Sequence, residues 1–324
     1  MIKYIIDLIK GLLIGVANII PGISGGTFAL ILGIYERLIN AIGNLNGEFV
    51  KELFSKKIFA ALKRIDFWFL VRIFIGALIS VVLLSRVIEY FLEQQHDPTY
   101  AFFVGLIIPS ILVPWKMMQK RKTPELIWFL IGVVFLLSLS IGFGQLNDQK
   151  LELKAQAAQL SDIDLHSAWQ LLFAALSGAL AISAMILPGI SGSFVLLLLG
   201  QYKNMIHAIN NRDFLFIGAL GLGTIIGIIM FTRLLQMLLK KFHSQTIAFL
   251  IGLMVASLYT LWPFKKVIEQ AGELYHTSVN ILPEAGNNLW VSLLSFVVGF
   301  FIVWLFIRQE KSMSREKGEE NFEF

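Results

Sequence analysis

The chain has 324 residues, 56% of them hydrophobic and only 15% charged, against roughly 25% charged in soluble domains. It carries a formal net charge of +5 and no cysteine, so disulfides, zinc–thiolate sites and thiol chemistry are excluded. This is the composition of an integral membrane protein, and its basic residues fall mostly in loops and the tail, which marks topology and calls for no nucleic-acid partner.

Met1 to Ile20 is apolar but lacks a small-residue cleavage site, so it reads as part of the protein and not as a cleaved signal peptide. It runs into Pro21-Gly22-Ile23-Ser24-Gly25-Gly26-Thr27. Proline ends a helix and pushes the residue before it out of helical geometry. In lipid, a broken helix survives only where protein or a water-filled cavity surrounds the freed backbone groups. Leu12 to Ile20 and Phe28 to Ile42 are each too short for a comfortable crossing of about 20 residues. Together they read as a re-entrant hairpin over 8–42, broken by Pro21 and Gly22. Ser24 suits a helix N-cap, and the arm after it would aim its N-terminus into the membrane. Free N–H groups and the helix dipole there favour an anion, with Ser24, Gly25, Gly26 and Thr27 as the candidate contacts. Glu36-Arg37 follows at the interface, where anchoring is the ordinary role.

The loop 43–66 carries Lys51, Lys56, Lys57, Lys63 and Arg64. Crossings are predicted at 67–91, 99–116 and 125–143. Arg72, Arg86 and Glu89 lie in the first of them. An arginine at membrane depth seeks a partner or a wet cavity, and its planar fork of donors suits phosphate. Near the end of a span it can instead reach the headgroups, and Glu89, one turn from Arg86, can pair with it. The loop 116–122 is again basic (Lys116, Lys120, Arg121, Lys122), and 146–168 reads as an extracytoplasmic linker.

After the linker the pattern repeats. Pro21 to Ile42 aligns without gaps on Pro188 to Ile209, including Leu30/Leu197, Gly33/Gly200, Tyr35/Tyr202, Ile39/Ile206 and Ala41/Ala208. A second block pairs Asp66-Phe67 with Asp213-Phe214, Gly76 with Gly223, Arg86 with Arg233, Gly105-Leu106 with Gly252-Leu253 and Trp115 with Trp262. The second hairpin is expected at 172–209, broken by Pro188 and Gly189, with Ser191, Gly192 and Ser193 as its contacts. Crossings follow at 214–238, 246–263 and 289–307, then a cytoplasmic tail over 311–324. Lys240 and Lys241 mark another basic loop. If each proline motif is a hairpin, every basic loop and both termini fall on the cytoplasmic side. Each repeat then has three crossings, and the second is inverted. The fold expected is all-α, with two inverted-topology repeats: 1–145 opening its hairpin to the cytoplasm, and 169–310 opening its hairpin to the outside. Such breaks at matching places point to a binding site near the midplane, for an anion such as phosphate or carboxylate. The alternative for the motif is a close-packing device made of small residues. Glu36, Glu89 and His207 are the candidates for ion coupling. No cofactor and no metal site are expected.

The doubled Pro-Gly-Ile-Ser-Gly, with Leu32-Gly33-Ile34-Tyr35 and Leu199-Gly200-Gln201-Tyr202 after it, resembles a family of bacterial and archaeal membrane proteins associated with polyprenyl-phosphate translocation. The likeness covers nearly the whole chain. It implies a flippase, a non-enzyme, that returns undecaprenyl phosphate from the outer to the inner leaflet of a prokaryotic cytoplasmic membrane for cell-envelope synthesis. Its partner would be the polyprenyl-phosphate lipid, and a homo-oligomer is compatible with it. The motif falls on Pro21 to Thr27 and Pro188 to Ser193; Ser193 and Phe194 stand where the first copy has Gly26 and Thr27. Two alternatives stay open on the residues alone. One is a secondary transporter of a small soluble anion. The other is an undecaprenyl-pyrophosphate phosphatase-like enzyme, which would need an activated nucleophile or a general base. Here a glycine follows each motif serine. A channel is a weaker alternative, since no ring of charge or filter-like run is present.

Overall fold

A computed structural model describes residues 2–19, 24–118, 122–157, 165–269, 276–284 and 286–316. In the first repeat, α1 (Ile2–Ile19) leads to two short helices, α2 (Gly25–Ile31) and α3 (Tyr35–Gly43). Next come α4 (Gly47–Phe54) and α5 (Ile58–Arg64), then α6 (Phe67–Gln94), α7 (His96–Ser110), α8 (Leu112–Met117) and α9 (Thr123–Ala157). In the second repeat the order is α10 (Ala168–Ile186), α11 (Gly192–Leu198), α12 (Tyr202–Asn210), α13 (Phe214–Lys241) and α14 (His243–Thr260). A two-stranded antiparallel hairpin, β1 (Lys265–Glu269) and β2 (His276–Asn280), precedes α15 (Asn287–Glu316).

Among the described residues, six helices are long and apolar enough to cross a membrane: 67–94, 96–117, 123–141, 168–186, 214–241 and 287–305. Five coincide with expected crossings. The expected crossing at 246–263 is a helix, α14, but it opens on the polar turn His243-Ser244-Gln245-Thr246 and is not among the six. The six also include α10, the first arm of the expected second hairpin; its 19 residues are enough for a span.

Other expectations need correcting. The arm Phe28 to Ile42 is not one helix: it stops at Leu32 and restarts at Tyr35. Gly33 adopts φ 63°, and Gly200, its repeat partner, φ 69°. Ile34 N–H donates to Ala29 O and Gly33 N–H to Leu30 O; Gln201 and Gly200 do the same to Leu196 and Leu197. Both are glycine helix stops of the Schellman type. The loop 43–66 is largely helical, and α9 continues past 145 into the expected linker. The hairpin β1–β2 departs from an all-helical fold. The tail at 317–324 lies outside the described residues.

The chain forms two compact units, 1–80 with 145–241, and 81–144 with 242–324. In the first, α1 packs along α6 and α10 along α13 through glycine notches. A methyl on Gly11 would strike Ile73 O, and one on Gly76 would strike Leu8 O; on Gly178 and Gly223 it would strike Leu220 O and Ala175 O. These are the same contacts at repeat-equivalent positions, as close approach of apolar helices in lipid demands. In the second unit the contacts are exchanged between repeats. Gly105 of α7 meets Phe296 O of α15, and Gly252 of α14 meets Phe129 O of α9. Gly299 meets Phe102 O, and Gly132 meets Phe249 O.

Candidate functional site

Ser24 and Thr27, which follow the first proline–glycine motif in sequence, meet Leu187 and Gly189 of the second break inside the first unit. Ile20 to Ile23, with Pro21 and Gly22, lie outside the described residues. From Ser24 onward the first tip is defined. Ser24 has extended backbone and caps α2, its Oγ accepting from Thr27 N–H at 3.3 Å. Gly25 N–H donates to Asn18 Oδ1 at 2.9 Å. The same Ser24 hydroxyl donates to Leu187 O at 2.9 Å and accepts from Gly189 N–H at 3.2 Å. Gly189 N–H also reaches Thr27 Oγ1 at 3.1 Å. A hydroxyl has one donor and two acceptor lone pairs, so Ser24 is saturated by protein. Ser24 and Thr27 are each only 1% exposed.

Backbone chemistry on the other side makes this seam. Pro188 ends the α10 region, and Gly189 turns with φ 82°, a conformation glycine adopts without steric cost. That turn presents its N–H to the first tip. Gly26 packs against the peptide just before the second break, and a methyl there would run into Ile186 O. Its counterpart, Ser193, is exposed.

The second tip is chemically different. Ser191 stands at the N-cap of α11, yet its side chain makes no capping bond. Its Oγ lies 2.7 Å from Ser193 Oγ, and the pair is exposed. Gly192 is half-buried beside Ala181 O. α2 and α11 have only seven residues each, so the dipole behind each tip is that of a two-turn helix and weaker than a long arm would supply.

The remaining expected residues do not converge on the tips. Arg72 donates from Nε and Nη2 to Asp7 Oδ2, at 3.1 and 2.9 Å. Asp7 also receives Arg37 Nη1 at 3.3 Å, and Arg37 Nη2 pairs with Asp66 at 2.6 Å. Arg37 stacks over Phe69 at 3.8 Å and Arg72 over Tyr4 at 4.7 Å. Lys10, one turn along α1, donates to Leu32 O at 2.6 Å. Arg233 donates to Leu45 O, just beyond the C-terminus of α3, where a cation complements orphan carbonyls. Beside it Gln236 donates to Asn40 at 2.9 Å. Arg86 is exposed and belongs to the other compact unit. Glu36 lies in the first turn of α3, and the side chain of Glu89 lies outside the described residues. His207 is exposed, with Asn211 Nδ2 3.1 Å from its ring nitrogens. The second unit holds a separate cavity of about 540 Å³, lined by Trp115, Met118, Lys122, Leu126 and Phe129 among others.

Asp7, Asn18 and Asp66 escaped the sequence reading. Asp7 carried a signal: a carboxylate within an apolar stretch is a functional candidate by default. Asp66 stood out only as a repeat identity with Asp213, and Asn18 carried no signal, since its partner is the backbone of a turn.

The sequence profile of the undecaprenyl phosphate translocase-like family matches residues 14–279. The chain is 32% identical to a polyprenyl-phosphate transporter of Vibrio cholerae over 266 residues, covering 82% of this chain and 80% of that one. It is 30% identical to a polyprenyl-phosphate transporter of Staphylococcus aureus over 313 residues, covering 92% and 94%. No solved structure matches the chain. The chain belongs to the undecaprenyl phosphate translocase-like family.

Proposed function

From that membership, we propose that this protein moves undecaprenyl phosphate from the outer to the inner leaflet of a prokaryotic cytoplasmic membrane, recycling the carrier lipid without catalysing a reaction on it. The observation that carries the reading is the exposed Ser191–Ser193 hydroxyl pair on a proline–glycine break in apolar sequence. The phosphate head is the part of the lipid that hydrocarbon rejects, and the prenyl tail can stay in the bilayer throughout. Two hydroxyls 2.7 Å apart can both donate to one phosphate group, and hydrogen bonds to charged acceptors are the stronger kind. The first tip serves as the anchor that holds the second in place, because its own hydroxyls are spent on Leu187 and Gly189. The hydrogen-bonding partner of Ser191 Oγ is another serine, which gives it none of the activation a phosphatase nucleophile requires. In this reading the two repeats are inverted, the termini are cytoplasmic, and the second hairpin opens to the outer leaflet.

The test uses purified protein in vesicles with labelled undecaprenyl phosphate. Wild-type protein should equilibrate the lipid between leaflets. Ser191→Ala/Ser193→Ala should slow it about tenfold or more, since each bond to a charged group is worth about 1.5–3 kcal/mol. Vesicles with wild-type protein that move the lipid no faster than empty ones would remove the assignment; a double variant with normal rates would remove these serines from it.

A further inference from the structure

We propose that Arg37 and Arg72 form a binding site for a phosphate monoester, with Asp7 occupying it as an internal stand-in anion while no ligand is bound. The proposal rests on the reading that the protein handles a phosphate-bearing lipid, and adds a second place where the phosphate is held. The geometry is that of a carboxylate bridging two guanidinium groups: Asp7 Oδ2 takes two donors of Arg72 and Oδ1 takes one of Arg37. A phosphate monoester offers three acceptor oxygens and more charge in the same space, and paired arginine forks match it. The site is reachable from one side. The side chain of Asp7 is 5% exposed and that of Arg72 19%, but those of Arg37 and Asp66 are 33% and 41% exposed.

The second repeat shows that folding does not need these charges. Aligned with Asp7, Arg37 and Arg72 are Ala174, Asn204 and Ala219. There Ala174, Ala208 and Phe216 form a fully buried apolar cluster, with Ala219 packed on it. Phe216 is the counterpart of Phe69, over which Arg37 lies. Buried ion clusters are commonly no more stabilising than apolar packing of similar volume. One repeat thus uses the apolar solution, while the other keeps two arginines and a buried acid where α1, α3 and α6 meet. Of the same elements, Lys10 is spent on Leu32 O, and Asp66 holds the outer side of Arg37. An incoming phosphate therefore competes with Asp7 for both arginines and with Asp66 for one.

The experiment measures binding of inorganic phosphate and of farnesyl phosphate to the full chain in detergent. Asp7→Asn keeps the shape and removes the charge that competes for both arginines, leaving Arg72 without an ionic partner among the described residues and Arg37 with Asp66 alone, so affinity should rise about tenfold. Asp7→Ala/Arg72→Ala copies the alanine pair of the second repeat. It should melt near the wild type yet bind about tenfold more weakly. If that variant fails to fold, Arg72→Lys decides: weaker binding supports a bidentate fork, and unchanged binding overturns it. Affinities that do not respond to Asp7→Asn overturn the proposal. Preference for farnesyl phosphate identifies the lipid headgroup as the ligand, and equal binding of both probes identifies phosphate itself. The translocation reading fails separately, if wild-type vesicles move no undecaprenyl phosphate while Asp7→Asn still tightens phosphate binding.

Discussion

Ser24 and Ser191 are the same residue in the repeat and do opposite work. Ser24 spends its whole hydrogen-bonding capacity on protein, across the seam on Leu187 and Gly189 and within its own tip on Thr27; Ser191, half-buried, pairs with the exposed Ser193. The cause lies two residues on. At 26 only hydrogen fits against Ile186 O, whereas 193 has room for a hydroxymethyl group. Gly26→Ala should therefore wedge the tips apart and cost about 1–3 kcal/mol, the range for overpacking. Ser193→Gly should stay within about 0.5 kcal/mol, as surface changes do. Thermal unfolding of both variants in detergent checks this. Equal melting temperatures would mean that the seam contributes nothing to stability. The inequality of the two copies was visible in the sequence as Gly26-Thr27 against Ser193-Phe194. Which copy remained open was not, because that depends on a carbonyl from the other repeat.

At the scale of elements, the broken arms are shorter than their apolar patterns. Hydropathy runs on from Phe28 to Ile42, but the chain stops at a glycine in left-handed conformation, in both repeats. Leu-Gly-x-Tyr is thus a helix stop, and the signal was in the sequence: a glycine followed by a second amphipathic segment. Gly33→Ala should cost about 1–2 kcal/mol, the penalty of a β-carbon in that conformation. The loss would appear as a lower melting temperature, and no change would show that the turn can re-form without positive φ. At α14 the expected crossing is a helix that opens on a polar turn and packs most of its length against protein. Burial against protein and burial in lipid select similar residues, so composition alone separates them poorly.

Across the whole molecule, the repeat is visible in packing as well as in sequence. In one unit each repeat pairs its own helices, α1 with α6 and α10 with α13; in the other they exchange partners, α7 with α15 and α9 with α14. Within each unit the same close approaches thus recur at repeat-equivalent positions. The proposed inversion adds a direction to that equivalence, and the absence of cysteine makes it easy to test. In cells, Ser55→Cys should react with an impermeant thiol reagent only after the membrane is opened, and Ser161→Cys should react in intact cells. Labelling of Ser55→Cys from outside would mean that the first proline motif crosses the membrane once and that the repeats are not inverted.

By itself the sequence determined that the chain belongs in a membrane, that it is built twice, and that its second repeat breaks at Pro188-Gly189. Those properties rest on composition, on identity at constant spacing, and on proline and glycine, all of which act locally. The tertiary structure decided which polar groups remain available. Ser24 and Thr27 are consumed by the neighbouring break, Arg72 by Asp7 on α1, and Arg37 by Asp7 and Asp66 together. Ser193 stays exposed, with Ser191 half-buried beside it. A hydroxyl or a guanidinium has the same chemistry wherever it stands in the chain. Whether it can meet a ligand depends on which partners folding places within hydrogen-bond distance, and here those partners come from residues far away in sequence.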